Sequence, residues 1–143
     1  MKIVVLSQEI PPVGGGAGNF ALLISKELAK RGEHIYIYTM NVPGLPLEET
    51  KDDGVQIKRA NVLRRDMANC GIISMLVYII KGAVHLSKIP KKDLKLIYAH
   101  SIVPAGIIAL LINKIKGTPY FITSHGSDVP GYNDKRFGII HKV

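Results

Sequence analysis

The run Thr123-Ser124-His125-Gly126-Ser127-Asp128-Val129-Pro130-Gly131 brings an imidazole, hydroxyls and a carboxylate close together at the end of a short β-rich segment. An imidazole at the tip of a buried strand, followed by a glycine that frees the backbone to turn, is suited to orient or polarise a bound ligand. Asp128 reads equally well as a supporting acid or as a cap for the turn or helix that follows. Far upstream, Lys2-Ile3-Val4-Val5-Leu6-Ser7 runs into Pro11-Pro12-Val13-Gly14-Gly15-Gly16-Ala17-Gly18. Glycine takes positive φ without steric cost and puts no side chain between backbone and ligand, so such a turn can press its N–H groups against an anion. The chemistry implied is phosphate or sugar binding.

Gly16-Ala17-Gly18-Asn19-Phe20-Ala21 satisfies G-x-G-x-x-A, so a dinucleotide site must be weighed. That site needs an acid at the end of the second strand to hold ribose hydroxyls, and Thr39, Met40 and Asn41 stand there instead. Ten residues also separate Leu6 from Ala17, whereas the dinucleotide turn follows its strand tightly. No Gly-Lys-Ser or Gly-Lys-Thr follows, which excludes a P-loop. A glycine loop serving only close strand–helix packing stays open. His100, after another apolar run, reads as a residue of the same rim or as a structural histidine, and His34, His85 and His141 read as surface or packing residues.

The elements that position these groups alternate. Residues 2–6, 34–39, 55–60, 94–99 and 119–123 read as strands, the first a β-branched run buried on both faces. Residues 17–31 read as a helix with Phe20, Leu23, Ile24 and Leu28 inward and Gly32 as its stop. Residues 67–89 form the longest helical candidate, with Ile72, Met75 or Leu76, Ile79, Ala83 and Leu86 on one stripe, and residues 103–116 form another, closed by Gly117. Asn41 to Gly54 reads as a loop. Alternating strands and helices imply a doubly wound α/β sheet, Rossmann-like and parallel, with helices on both faces. Ligands of such sheets sit beyond the carboxyl ends of the strands, where both suspicious loops emerge.

Composition narrows the class. The chain has 143 residues, 47% of them apolar and 21% charged, which fits one ordinary globular domain. The apolar runs around Ile72–Ile80 and Ile102–Ile112 fall short of the roughly 20 residues that span a bilayer, and the N-terminus lacks a signal-peptide pattern. Cys70 is the only cysteine, so no internal disulfide is possible and a cytoplasmic setting is the simplest expectation. No His, Cys and carboxylate cluster has metal-ligand spacing. Residues 1–60 carry seven basic and seven acidic groups, while residues 61–143 carry twelve and four, so the whole charge of +8 lies in the second half. Such a basic half attracts nucleic acid, anionic lipid or phosphorylated substrates, or is simply a solvated face. Nucleic acid is disfavoured, because the tyrosines other than Tyr132 fall within core elements instead of interleaving with the lysines.

Together, the first strand, the Pro-Pro-x-Gly-Gly-Gly-Ala loop, the Leu-Ala-Lys-Arg-Gly-Glu-His segment before strand two, Ala-His-Ser after strand four and Ser-His-Gly-Ser-Asp after strand five resemble the amino-terminal domain of GT-B glycosyltransferases of family 4. The resemblance covers essentially the whole chain, residues 1–143. It implies one half of a two-domain architecture, the acceptor-binding half of a retaining enzyme that needs no metal or other cofactor. A carboxyl-terminal domain with a Glu-x7-Glu pattern would bind most of the nucleotide-sugar donor, and the chain ends before it. The expectation is therefore a fragment without transfer activity of its own. By the same resemblance Gly14, Gly15 and Gly16 match the loop against the donor diphosphate and the acceptor, and His125 matches the histidine near the reacting carbon. Asp128 matches the acid after it, while Ser127 and His100 fall where the acceptor is held. Acceptors implied are saccharide, lipid-linked or phosphorylated molecules. The basic helical segment from Met67 to Ile89, flanked by Arg64, Arg65, Lys88, Lys91 and Lys92, would in this light dock on the inner face of an anionic membrane. Two other classes remain open: a nucleotide-dependent oxidoreductase domain and a noncatalytic basic binding module.

Overall fold

The computed structural model describes residues 1–62 and 70–126. Six strands form one sheet in the order β3-β4-β2-β1-β5-β6. Five of them, β1 (Lys2–Leu6), β2 (His34–Met40), β4 (Gln56–Ala60), β5 (Leu94–Ala99) and β6 (Tyr120–Ile122), are mutually parallel and lie within a residue or so of the strands read from sequence. The chain winds outward from β1 through β2 to β4, then returns to the other side of β1 as β5. The β1/β5 junction is therefore the topological switch point, the place where ligands of open α/β sheets bind.

One strand departs from the expectation. Glu48–Thr50, read as part of a loop, is β3, an edge strand antiparallel to β4. Opposite charges across the pair explain it: Glu48 is ion-paired with Lys58, and Glu49 with Arg59 at 2.7 Å. Arg59 is only 2% exposed and donates also to the Pro46 carbonyl at 2.9 Å, so the proline- and acid-rich segment pins a buried cation. Charge pairing overrode a composition that reads as loop.

Helices cover both faces. α1 (Gly16–Lys30) lies on one side of the sheet over Ile3, Val5, Ile35, Ile37 and Tyr98. Its buried stripe is Gly18, Ala21 and Ser25, not the expected Phe20 and Leu23, which are exposed. Small side chains at this spacing let the helix approach closely: a Cβ on Gly18 would sit 2.9 Å from the Glu9 carbonyl oxygen. α2 (Ile72–Ser87) and α3 (Ile107–Lys116) cover the other side, over Val4, Leu6, Tyr38 and Ile97.

The stripe of α2 also differs from the sequence reading. Ser74, Tyr78, Gly82 and Leu86 face inward, while Ile72, Ile73, Leu76, Ile80 and Val84 are at least half exposed. Two contacts set this roll. A Cβ on Gly82 would lie 2.7 Å from Ile108 of α3, and the fully buried Tyr78 donates its hydroxyl to the Tyr38 carbonyl at 2.8 Å. Cys70, ahead of the helix, packs its sulfur 3.4 Å from that of Met40. A π-turn over Ile102–Gly106 leads into α3, and Gly117 at φ 67° ends it in the left-handed conformation that glycine favours.

Candidate functional site

The loop after β1 folds back on itself before it enters α1. Ser7 donates its hydroxyl to the Glu9 carbonyl at 2.6 Å, Val13 N–H donates to the Ile10 carbonyl at 2.9 Å, and Ile10 and Val13 are buried. The three glycines that follow have different reasons to be glycine. Gly14 has φ 91°, and a Cβ there would lie 2.5 Å from both the Cβ and a carboxylate oxygen of Glu9. Gly15 and Gly16 are exposed, and a Cβ on either would meet nothing within 4 Å. The helix's own bonding begins with Asn19 N–H to the Gly15 carbonyl at 3.1 Å, and its first turn holds neither a capping side chain nor an acid. The N–H groups of the first turn therefore face the rim with the positive end of the helix dipole behind them.

Next to this turn, β5 is extended by one residue when His100 N–H donates to the Leu6 carbonyl at 2.8 Å. Leu6 pairs with both Tyr38 and Ala99, so the residues after them, Ser7, Thr39 and His100, alternate onto the α1 side of the sheet. Thr123 N–H donates to the Ala99 carbonyl at 2.9 Å, and its hydroxyl is 2.8 Å from that of Tyr98, which fixes the chain beyond β6. His125 is thereby set beside His100, with Nδ1 of His100 3.2 Å from Nε2 of His125. Phe20 of α1 stands edge-on to both rings, with centroids 5.7 and 5.6 Å away, and Tyr98 lies 4.1 Å from His100. The turn, His100 and His125 thus share the rim at the switch point. His100 is 2% exposed, and its pKa is lowered to about 4, first by burial and second by the neighbouring His125. It is neutral at physiological pH.

The sequence model described as Glycosyltransferase Family 4 matches residues 14–143. The chain belongs to glycosyltransferase family 4. A 2-deoxystreptamine N-acetyl-D-glucosaminyltransferase of Streptomyces fradiae is 27% identical over 124 residues, a match that takes in 82% of this chain and 30% of the relative. Among solved structures, sucrose-phosphate synthase from Thermosynechococcus elongatus superposes with a TM-score of 0.69 at 15% identity, covering 94% of this chain and 36% of that one. A glycosyltransferase from Rickettsia africae superposes at 0.56 with 19% identity, over 98% and 34%. The family 4 chain therefore spans about a third of the length of these proteins, and the structural likenesses establish the Rossmann-like fold.

Of the residues singled out in sequence, the family 4 fold brings Gly14, Gly15, Gly16, His100 and His125 to one rim, while Ser127 and Asp128 lie outside the described residues. Sequence reasoning missed two features of that rim. Phe20, assigned to the core, instead borders both histidines; its place two residues after the glycine turn was the available signal. Gln8 Oε1, Thr39 Oγ1, Asn41 Oδ1 and His100 Nε2, all at or just beyond the carboxyl ends of β1, β2 and β5, are buried without a hydrogen-bond partner among the described residues. Buried polar atoms rarely go unpaired, and these four cluster at the ligand end of the sheet. Thr39 and Asn41 occupy the position where a dinucleotide site would carry its acid. A hollow at the opposite end of the sheet, lined by Met1, Lys2, His34 and Gln56, touches none of these groups. Among the described residues no His, Cys, Asp or Glu cluster is placed to hold a metal ion.

Proposed function

We propose that this family 4 chain is the acceptor-side domain of a retaining glycosyltransferase, completed by a second domain that carries most of the nucleotide-sugar site. The observation that carries the reading is the convergence of the Gly14–Gly16 turn and the His100–His125 pair on one rim at the β1/β5 switch point. In the transfer, the bond from the anomeric carbon to the donor phosphate breaks and a bond to an acceptor hydroxyl oxygen forms. The acceptor proton and the nucleoside diphosphate leave. Negative charge grows on the departing diphosphate, and N–H groups already aimed at it from the start of α1 stabilise that charge more in the transition state than in the ground state. Gly15 and Gly16 suit this role because nothing covers their Cα atoms, whereas Gly14 shapes the loop. His125 orients or polarises the donor sugar, Asp128 supports it, and His100 and Ser127 border the acceptor, which is a saccharide, a lipid-linked or a phosphorylated molecule. No metal or other cofactor is required.

The test uses the gene product extended through its second domain, assayed against a panel of nucleotide sugars. The extended protein transfers sugar, His125→Ala lowers kcat by about 100-fold or more, and the 143-residue chain alone does not turn over because half the cleft is missing. Transfer undiminished in His125→Ala would remove the histidine from the mechanism. Saturable binding of a nicotinamide cofactor would instead favour an oxidoreductase domain.

The acceptor-side domain also docks on an anionic membrane from the cytoplasmic side. Its support is the outward apolar stripe Ile72, Ile73, Leu76, Ile80 and Val84, edged by Lys81 and Lys88. A hollow lined by Leu47, Lys58, Ile80, Lys81, Val84 and Lys88 adjoins it. Lys58 and Lys88 come after burial among the causes of the lowered pKa of His85, opposed by Glu48, the ion-pair partner of Lys58. No helix among the described residues is long and apolar enough to cross a bilayer, and the attachment proposed is peripheral. Arg64, Arg65 and Met67 lie outside the described residues. Flotation with anionic liposomes at low salt should retain the protein, and its absence from the lipid fraction would end this part of the proposal.

A further inference from the structure

We propose that His100 is a positioning residue that sets the tautomer of His125, donating its Nδ1–H to Nε2 of His125 and so holding the remaining hydrogen of His125 on Nδ1. The contact itself is a hydrogen bond and not a stack. The ring centroids are 5.5 Å apart while the facing nitrogens are 3.2 Å apart, a difference of about twice the centre-to-nitrogen distance of an imidazole, so the nitrogens meet nearly in the plane of both rings.

One hydrogen must lie between these nitrogens, and two neutral arrangements are available. In the first, His100 carries its hydrogen on Nδ1 and donates. Its Nε2 is then a bare lone pair. In the second, His125 donates from Nε2, His100 accepts at Nδ1, and the hydrogen of His100 moves to Nε2. That atom is buried and has no partner among the described residues, so the second arrangement leaves an N–H orphaned in the interior. Orphaned buried N–H groups are rarer than under-used acceptors, which favours the first arrangement. A doubly protonated His100, which would donate from both nitrogens, is disfavoured by its burial. The ring has little freedom to turn its other edge to His125, because Phe20 and Tyr98 flank it and its own backbone is tied to Leu6.

The consequence is chemical. With Nε2 engaged by His100, the hydrogen of His125 lies on Nδ1, which makes that nitrogen a hydrogen-bond donor and not a base. Such a donor suits an oxygen acceptor and cannot take up the proton of an acceptor hydroxyl. This functional consequence rests on the role given to His125 above, whereas the tautomer itself does not.

The test is two-bond ¹H–¹⁵N correlation NMR of the chain labelled with ¹⁵N-histidine, at pH 7.5. Both rings should report Nδ1–H in the wild type. His100→Asn, whose amide nitrogen can replace Nδ1 as donor, should keep His125 in that form, and His100→Leu should shift it toward the Nε2–H form that free histidine favours. An Nε2–H signal for either wild-type ring overturns the assignment, and an unchanged His125 in folded His100→Leu overturns the setting role. Should His100→Leu fail to fold, the wild-type and Asn spectra still decide the direction of the bond. Loss of the glycosyltransferase reading in the transfer assay would leave these spectra unchanged, so the two failures are distinguishable.

Discussion

Acidification should destabilise this protein through His100 before its carboxylates titrate. The pKa of His100 falls from 6.5 to about 4 on folding because the buried ring loses hydration and faces His125. A histidine lowered in this way is held neutral by the fold. Its contribution is fully present above the unfolded value of 6.5, is lost as pH falls from there toward 4, and is gone below 4. At pH 5 the unfolded ring is almost wholly protonated and the folded ring only about one-tenth, so stability should drop by about 2 kcal/mol between pH 8 and pH 5 from this residue alone. The lowered pKa of His85, from burial and then Lys58 and Lys88, acts in the same direction, and the carboxylates of Glu27, Glu48 and Glu49 act below their ordinary range. Comparison with His100→Asn removes these shared contributions. Urea unfolding of both proteins at pH 8, 6 and 5 should show the wild-type advantage shrinking by about 2 kcal/mol toward acid. A gap constant within about 0.5 kcal/mol over that range would mean that His100 is not held neutral by burial, and would refute the reasoning.

Other perturbations separate conformational from functional roles. Gly14→Ala should cost about 1–2 kcal/mol, from its positive φ, plus the clash with Glu9, whereas Gly15→Ala should stay within about 0.5 kcal/mol by denaturant titration. Tyr78→Phe should cost about 1–2 kcal/mol in the same measurement, because the Tyr38 carbonyl loses a donor in a fully buried place. Leu76→Asp with Ile80→Asp should leave far-UV circular dichroism and stability within about 0.5 kcal/mol of wild type while abolishing liposome flotation. A large loss of stability there would show that the stripe is covered by the protein itself.

How much was legible in the sequence depended on whether a residue's partner lay nearby in the chain. The five parallel strands were legible because β-branched runs such as Ile3-Val4-Val5-Leu6 are bounded by turn residues, a purely local signal. β3 was not, since Glu48 and Glu49 become strand only through cations ten residues on, Lys58 and Arg59. The helix faces were legible only in part: Ile24, Leu28, Ile79 and Leu86 pack on the core as read, but the centre of each stripe does not. Hydrophobicity ranked Phe20, Leu23 and Ile72 as core, but contact distance selected Gly18 against Glu9 and Gly82 against Ile108. Small residues that allow close approach leave almost no trace in a periodicity built on hydrophobicity.

The site obeys the same division. The glycines and His125 stand out through local motif and strand-end position, but what brings them to one rim is long-range. His100 and His125 are twenty-five residues apart in sequence and meet only because β5 and β6 are neighbours in register, Ala99 against Ile122. The switch point then places the β1 loop beside them, since β1 is the strand that both β2 and β5 flank. A glycine turn alone can bind any anion, and a histidine alone can do a dozen things. Here the helix that follows the turn sets Phe20 against both His125 and its buried, neutral partner His100. N–H donors at the start of α1 and an imidazole on the same rim are what the proposed sugar-phosphate role requires, and neither motif alone would supply both.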